Sequence, residues 1–159
     1  SGFPTTNYPD LPQSCPSCDI GSQLKMVAHL IAAREQLGDE RALFLIELGG
    51  FDMHNNELSD LAVRMTEMDD AVAAFERELK AQSTWKQTIL LTASDFGRTL
   101  TSNGKGTDHA WGGNHFVVGG SVKGGQILGT YPDQLKPNTG RSDKRGRVVP
   151  STSWEALWF

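Results

Sequence analysis

The sequence predicts an α/β domain built on a mainly parallel sheet. Three observations predict it: a short apolar run at residues 42–48, a second at 88–93, and a long stretch of helical periodicity between them. Strand, helix, strand in that order is a right-handed βαβ unit by default. Continuous apolar runs, rather than alternating ones, are the mark of strands buried on both faces. A chain of 159 residues is long enough for one such domain with a real core.

Residues 1–19 are rich in Pro, Ser and Thr and read as an irregular segment, with a single domain over 20–159. Leu24, Val27, Leu30, Ile31 and Leu37 then recur at helical spacing, and Gly38 supplies a stop. His29 inside this helix has no acidic neighbour, so it reads as a helical histidine rather than a ligand. Residues 42–48 (ALFLIEL) form the first predicted strand, and Gly49-Gly50 turn the chain into a loop over 51–56. The second helix carries Leu58, Leu61, Met65, Met68, Val72, Phe75 and Leu79 at three- and four-residue steps, a stripe expected to be core. Asn55 or Asn56 is its expected cap. Residues 88–93 (TILLTA) are the second strand. Beyond them the chain is Gly-rich, with short strands expected at 115–118, 126–128 and 147–149 and an exposed polar loop at 133–146.

The net charge of −4 gives no basic patch, which argues against nucleic-acid binding. No run approaches the roughly 20 apolar residues of a membrane helix. Cys15 and Cys18 form one CPSC unit with no second pair, so a zinc ribbon is excluded. Their coil-like surroundings favour a structural disulfide or an inert pair over a redox or metal role.

The chemistry-bearing residues cluster in three loops. Asp52 and His54 lie in GGFDMHNN, Asp95 in TASDFGRT, and Asp108, His109 and His115 in GTDHAWGGNH. Two of these loops follow strand-like runs, and open α/β sheets build their sites at strand ends. Carboxylate and imidazole together suit zinc, manganese and similar ions. Each residue has an ordinary alternative. Asp52 can cap the following helix beside a solvated His54, Asp95 can serve a turn, and His115 can sit at the edge of the core. His109 ranks above His115 as a ligand. Arg98 either pairs with Asp95 or holds an anionic oxygen through its guanidinium fork; Lys105 is a second candidate for the latter. No GxSxG elbow surrounds Ser94, and no phosphate-binding glycine loop is present.

The stretch from GGFDMHNN through the long helix to TASDFGRTLTSNGKGTDHAWGGNHFVVGGSVKGG closely resembles the bacterial family catalogued as domain of unknown function 1501, over about residues 24–150. That family is similar to a branch of the alkaline phosphatase and sulfatase superfamily. The resemblance implies a three-layer sandwich with helices on both faces of its sheet, and hydrolysis of phosphate or sulfate monoesters at a one- or two-metal site. It implies Asp52 and His54 as ligands of one ion, completed by His109 or else His115, with Asp108 nearby. Asp95 falls where a second ion is held, but Phe96 replaces the expected histidine. The superfamily's nucleophile and first metal-binding Asp come from an N-terminal strand region that this chain does not contain. The resemblance therefore implies the C-terminal portion of a larger, exported or periplasmic protein. Expected ligands are a divalent ion, zinc first and manganese or calcium next, and a small anionic ester or a sulfated or phosphorylated glycan. A non-catalytic metal- or anion-binding module is the alternative. A truncated sheet would leave an open edge, so self-association is also expected.

Overall fold

The computed structural model describes residues 20–157, and in it the helical periodicities are realised while the parallel sheet is not. The CPSC pair and the segment 1–19 lie outside the described residues. Three α-helices are present among the described residues: α1 at Ile20–Ala32, α2 at Arg34–Leu37 and α3 at Glu57–Ala81. Four short strands follow: β1 at Ile89–Leu91, β2 at Gly97–Arg98, β3 at His109–Ala110 and β4 at Val117–Gly119. They make two antiparallel pairs, β1 with β4 and β2 with β3. The expected three-layer sandwich with a mainly parallel sheet is therefore wrong for this structure.

The physical reason lies in the first apolar run. Residues 42–48 take no strand assignment, because an extended segment becomes a strand only when a neighbour completes its main-chain hydrogen bonds. Instead the Gln23 side chain of α1 accepts from the Glu47 amide at 3.0 Å and donates to the Glu47 carbonyl at 2.8 Å. With no first strand there is no βαβ crossover. The second run shortens to β1 and pairs antiparallel with β4, Leu90 opposite Val118. Of the other expected strands, 115–118 becomes β4, 147–149 contributes one bridge from Val148 to Ser142, and 126–128 is not a strand, with Ile127 and Leu128 largely exposed.

The chain divides into two compact units. Among the described residues, the first comprises 20–52 and 59–88, and the second 53–58 and 89–157. In the first, α1 buries Ile20, Leu24, Val27 and Ala28, while α3 buries Ala71, Ala74, Phe75 and Leu79. Gly38 ends α2 in the left-handed conformation at φ 74°, as its place in the sequence predicts. Gln82, one residue past α3, donates to the Ala28 carbonyl at 3.2 Å and to Glu78 at 2.6 Å. The stripe on α3 is core only over its C-terminal half. Met65 is exposed, and so is Leu58 at the helix start.

The second unit is organised by the β2–β3 pair, in which Gly97 faces Ala110 and Arg98 faces His109. Gly97 is required here. A Cβ at this position would lie under 3.0 Å from the Gly112 carbonyl oxygen and 2.7 Å from its carbon. Gly112 in turn donates its amide to Val148.

Candidate metal centre

The loop between β2 and β3 is folded by its own polar side chains. Asn103 Oδ1 accepts the amides of Lys105 and Gly106 at 3.0 and 2.9 Å, the self-contained turn that Asn favours. The Thr99 amide donates to the Asp108 carbonyl at 2.9 Å, and the Asp108 amide returns a bond to Thr99 Oγ1 at 3.0 Å. Those two bonds extend the β2–β3 ladder and fix where Asp108 stands. Gly106 is buried, and a Cβ there would come within 3.1 Å of the His54 carbonyl carbon and 3.2 Å of Glu57 Oε2. The absence of a side chain at 106 lets the loop lie directly on residues 54–57. Thr107 completes the junction by donating to Glu57 Oε1 at 2.8 Å.

That junction brings the two sequence-predicted histidines together. His54 and His109 stack with ring centroids 5.1 Å apart, and Phe96 lies on His109 at 4.0 Å with planes within 3° of parallel. Asp52 is carried beside His54 by the chain itself, with only Met53 between them. Among the described residues, Asp52, His54 and His109 form the group that could hold an ion, each offering a donor atom within 4.8 Å of the others, and all three are exposed. Metal–ligand bonds of 2.0–2.2 Å put tetrahedral donors roughly 3.4 Å apart. Exposed side chains can close that gap by rotation, so one oxygen and two imidazole nitrogens fit a divalent ion with an open coordination position.

Asp108 stands behind His54 rather than in the group. Its Oδ1 lies 3.4 Å from His54 Nδ1 and accepts from Asn103 Nδ2 at 3.1 Å, while its Oδ2 is held by Arg145. The Asn103 amide, above all, keeps the Asp108 carboxyl below the ordinary carboxylate range, with the Arg145 guanidinium and His54 adding to it against a partial loss of hydration. Metal-bound histidines usually donate their second nitrogen to such a carboxylate.

The remaining predicted residues are placed otherwise. Asp95 is exposed in the bend before β2 and is outside the three-residue group. His115 packs edge-on against Trp154 at 5.5 Å and is likewise outside it. Arg98 does not take Asp95 as its partner. Its Nε lies 3.6 Å from Glu57, its Nη2 donates to the Met53 carbonyl, and its guanidinium lies 5.6 Å from the Phe96 ring. The guanidinium is thus turned toward residues 53–57, with Nη1 buried and without a hydrogen bond. The Lys105 side chain is exposed. Sequence reasoning missed Glu57, Asn103 and Arg145. Glu57 had a readable signal, since it opens the helix three residues after His54. Arg145 had none, lying 37 residues from Asp108 in a loop that reads as polar surface.

The protein-family comparison matches residues 12–142 to a model described as "Protein of unknown function (DUF1501)". The chain belongs to that family. No curated protein and no solved structure matches it. No helix among the described residues is long and apolar enough to cross a membrane.

Proposed function

We propose that the chain carries a single-ion site of the kind that hydrolyses small anionic esters, with Asp52, His54 and His109 holding a divalent metal. Zinc suits the donor set best, and manganese or calcium are the other ions to consider. The observation that carries this reading is the convergence of the three exposed donors at the junction of the 51–56 and 102–109 loops. When bound, the ion would supply Lewis acidity and make its water a stronger acid. The chain's own residues orient the site. Asp108 faces His54 Nδ1 and so leaves Nε2 for the ion, and Phe96 sets the plane of His109. Arg145, 60 % exposed beside Asp108, is the cation best placed to meet an anionic oxygen. The sequence resemblance to phosphatases and sulfatases supports phosphate or sulfate monoesters, or glycans carrying them, as the ligand class. It supports an exported or periplasmic setting for the same reason.

A second reading, a module that binds the ion or an anion without cleaving it, has its own support. Phe96 stands where the superfamily carries a histidine and is stacked on His109 instead, and the Ser94 hydroxyl is engaged with the Phe96 carbonyl at 3.0 Å. Release of p-nitrophenol from its phosphate or sulfate ester by zinc-loaded protein separates the two. Turnover that EDTA and His54→Ala both abolish supports hydrolysis. Stoichiometric zinc binding with no release overturns hydrolysis and leaves the binding module.

A further inference from the structure

Residues 42–48 have the geometry of a strand without its neighbour. Exposure alternates along the segment: Leu43, Leu45 and Glu47 are exposed, while Phe44, Ile46 and Leu48 are half-buried. Leu43 is 90 % and Leu45 88 % exposed, close to what an isolated leucine would show. A period of two is the signature of extended backbone. Gln23 bonds both the amide and the carbonyl of Glu47, which point to one side only when the chain is extended. Residues 42–46 and Leu48 make no main-chain hydrogen bond among the described residues. The odd-numbered groups face the edge that Gln23 holds. The even-numbered groups of Ala42, Phe44, Ile46 and Leu48 therefore face the opposite edge.

We infer that this edge pairs with the same segment of a second copy of the chain, antiparallel and centred on Phe44. Such a pair puts Phe44 opposite Phe44 and Ala42 opposite Ile46 as the hydrogen-bonded positions, on the edge away from Gln23. About six main-chain hydrogen bonds would form across the two-fold axis. The non-hydrogen-bonded positions, where side chains come closest, then put Leu43 against Leu45 and Arg41 against Glu47. The exposed face reads Arg41, Leu43, Leu45, Glu47, and reversal sets each charge against its opposite and each leucine against a leucine. A parallel, in-register pair would set arginine on arginine and glutamate on glutamate. The sequence of this face thus selects both the partner and its direction. Unpaired apolar edges of this kind are where chains associate, and a two-fold contact needs a self-complementary patch.

Sedimentation equilibrium of the whole chain, with and without charge reversals at this face, tests the inference. Arg41→Glu and Glu47→Arg each turn two attractive pairs per dimer into repulsive ones, and each should weaken dimerisation by about tenfold or more. Mixing the two variants should restore dimers, as heterodimers, and the double variant Arg41→Glu/Glu47→Arg should restore homodimers. Both side chains are exposed, so circular dichroism of each variant should match the parent. A chain that stays monomeric at high concentration, or dimers indifferent to the single reversals, would overturn the proposal. Restoration by the mixture without restoration by the double variant would overturn the antiparallel register.

Discussion

Replacing Gly97 with alanine should be the most damaging single methyl addition in the second unit. The added Cβ would sit under 3.0 Å from the Gly112 carbonyl oxygen, 2.7 Å from its carbon and 3.3 Å from its nitrogen. Ordinary Cβ contacts start near 3.4 Å, so relieving the clash with the carbonyl oxygen needs a shift of more than an ångström. All three neighbours are backbone, and no side-chain rotation relieves them. Gly112 is itself tied to Val148 by a 2.9 Å bond, and a Cβ on it would meet the Val148 carbonyl oxygen at 2.9 Å. The strain therefore passes into the β2–β3 pair, which sets Arg98 opposite His109. Overpacking that forces backbone movement costs about 1–3 kcal/mol or somewhat more, which for a protein of this size lowers Tm by roughly 2–4 °C per kcal/mol. Gly124→Ala is the control, since a Cβ there meets nothing within 4 Å and its φ is not positive; it should be neutral or stabilise by about 0.4–1 kcal/mol. Thermal unfolding by circular dichroism compares them. Equal Tm values for the two variants would refute the packing argument.

Three further outcomes follow from the structure. Leu79→Ala, at a fully buried position on α3, should cost about 2–5 kcal/mol in a denaturant melt; a cost below 1 kcal/mol would mean that the first unit is not packed around it. The Asp143 carboxyl is held below its ordinary value of 3.8 chiefly by the Arg147 amide, with the Arg145 amide and both guanidinium groups adding to it. A carboxyl depressed on folding stabilises above its unfolded pKa and loses that contribution as pH falls through the folded value, so Asp143→Asn should flatten the acid limb of a stability profile below about pH 4. An unchanged limb would remove Asp143 from acid unfolding. Phe96→Ala should free the His109 ring, and an aromatic stack worth about 0.5–1.5 kcal/mol corresponds to zinc binding weakened roughly 2- to 12-fold by calorimetry. Unaltered affinity would show that the stack does not orient the ligand.

How much was legible in the sequence differs between helices and strands. The spacing of Leu24, Val27, Leu30, Ile31 and Leu37 with Gly38 beyond specified one helix and its stop, because a helix satisfies its own main chain and needs only a face to bury; the structure breaks that helix at Ala33 into α1 and α2. The run at 42–48 promised a strand on the same apolar grounds. A strand is a property of two segments, and nothing in ALFLIEL names its neighbour. The same gap misdirected residues 89–91, which pair with 117–119 across two intervening strands. The β2–β3 pair was invisible, being two residues long on each side and starting with a glycine. Asp52, His54 and His109, which the fold brings within reach of one another, stood out because imidazole and carboxylate concentrated in Gly-rich loops are chemically conspicuous. Asp95 and His115 carry the same chemistry and lie outside the three-residue group. Asn103 and Arg145 act on Asp108 through tertiary placement, which no local pattern announces.

The metal content of purified, zinc-reloaded protein, measured by inductively coupled plasma mass spectrometry, bears most directly on the proposed centre. Parent, His54→Ala, His109→Ala and His115→Ala should be compared in one series. One equivalent of zinc in the parent and in His115→Ala, lost from His54→Ala and His109→Ala, is the expected result. A parent that holds no zinc after reloading, or four proteins with equal content, would contradict a metal site at Asp52, His54 and His109.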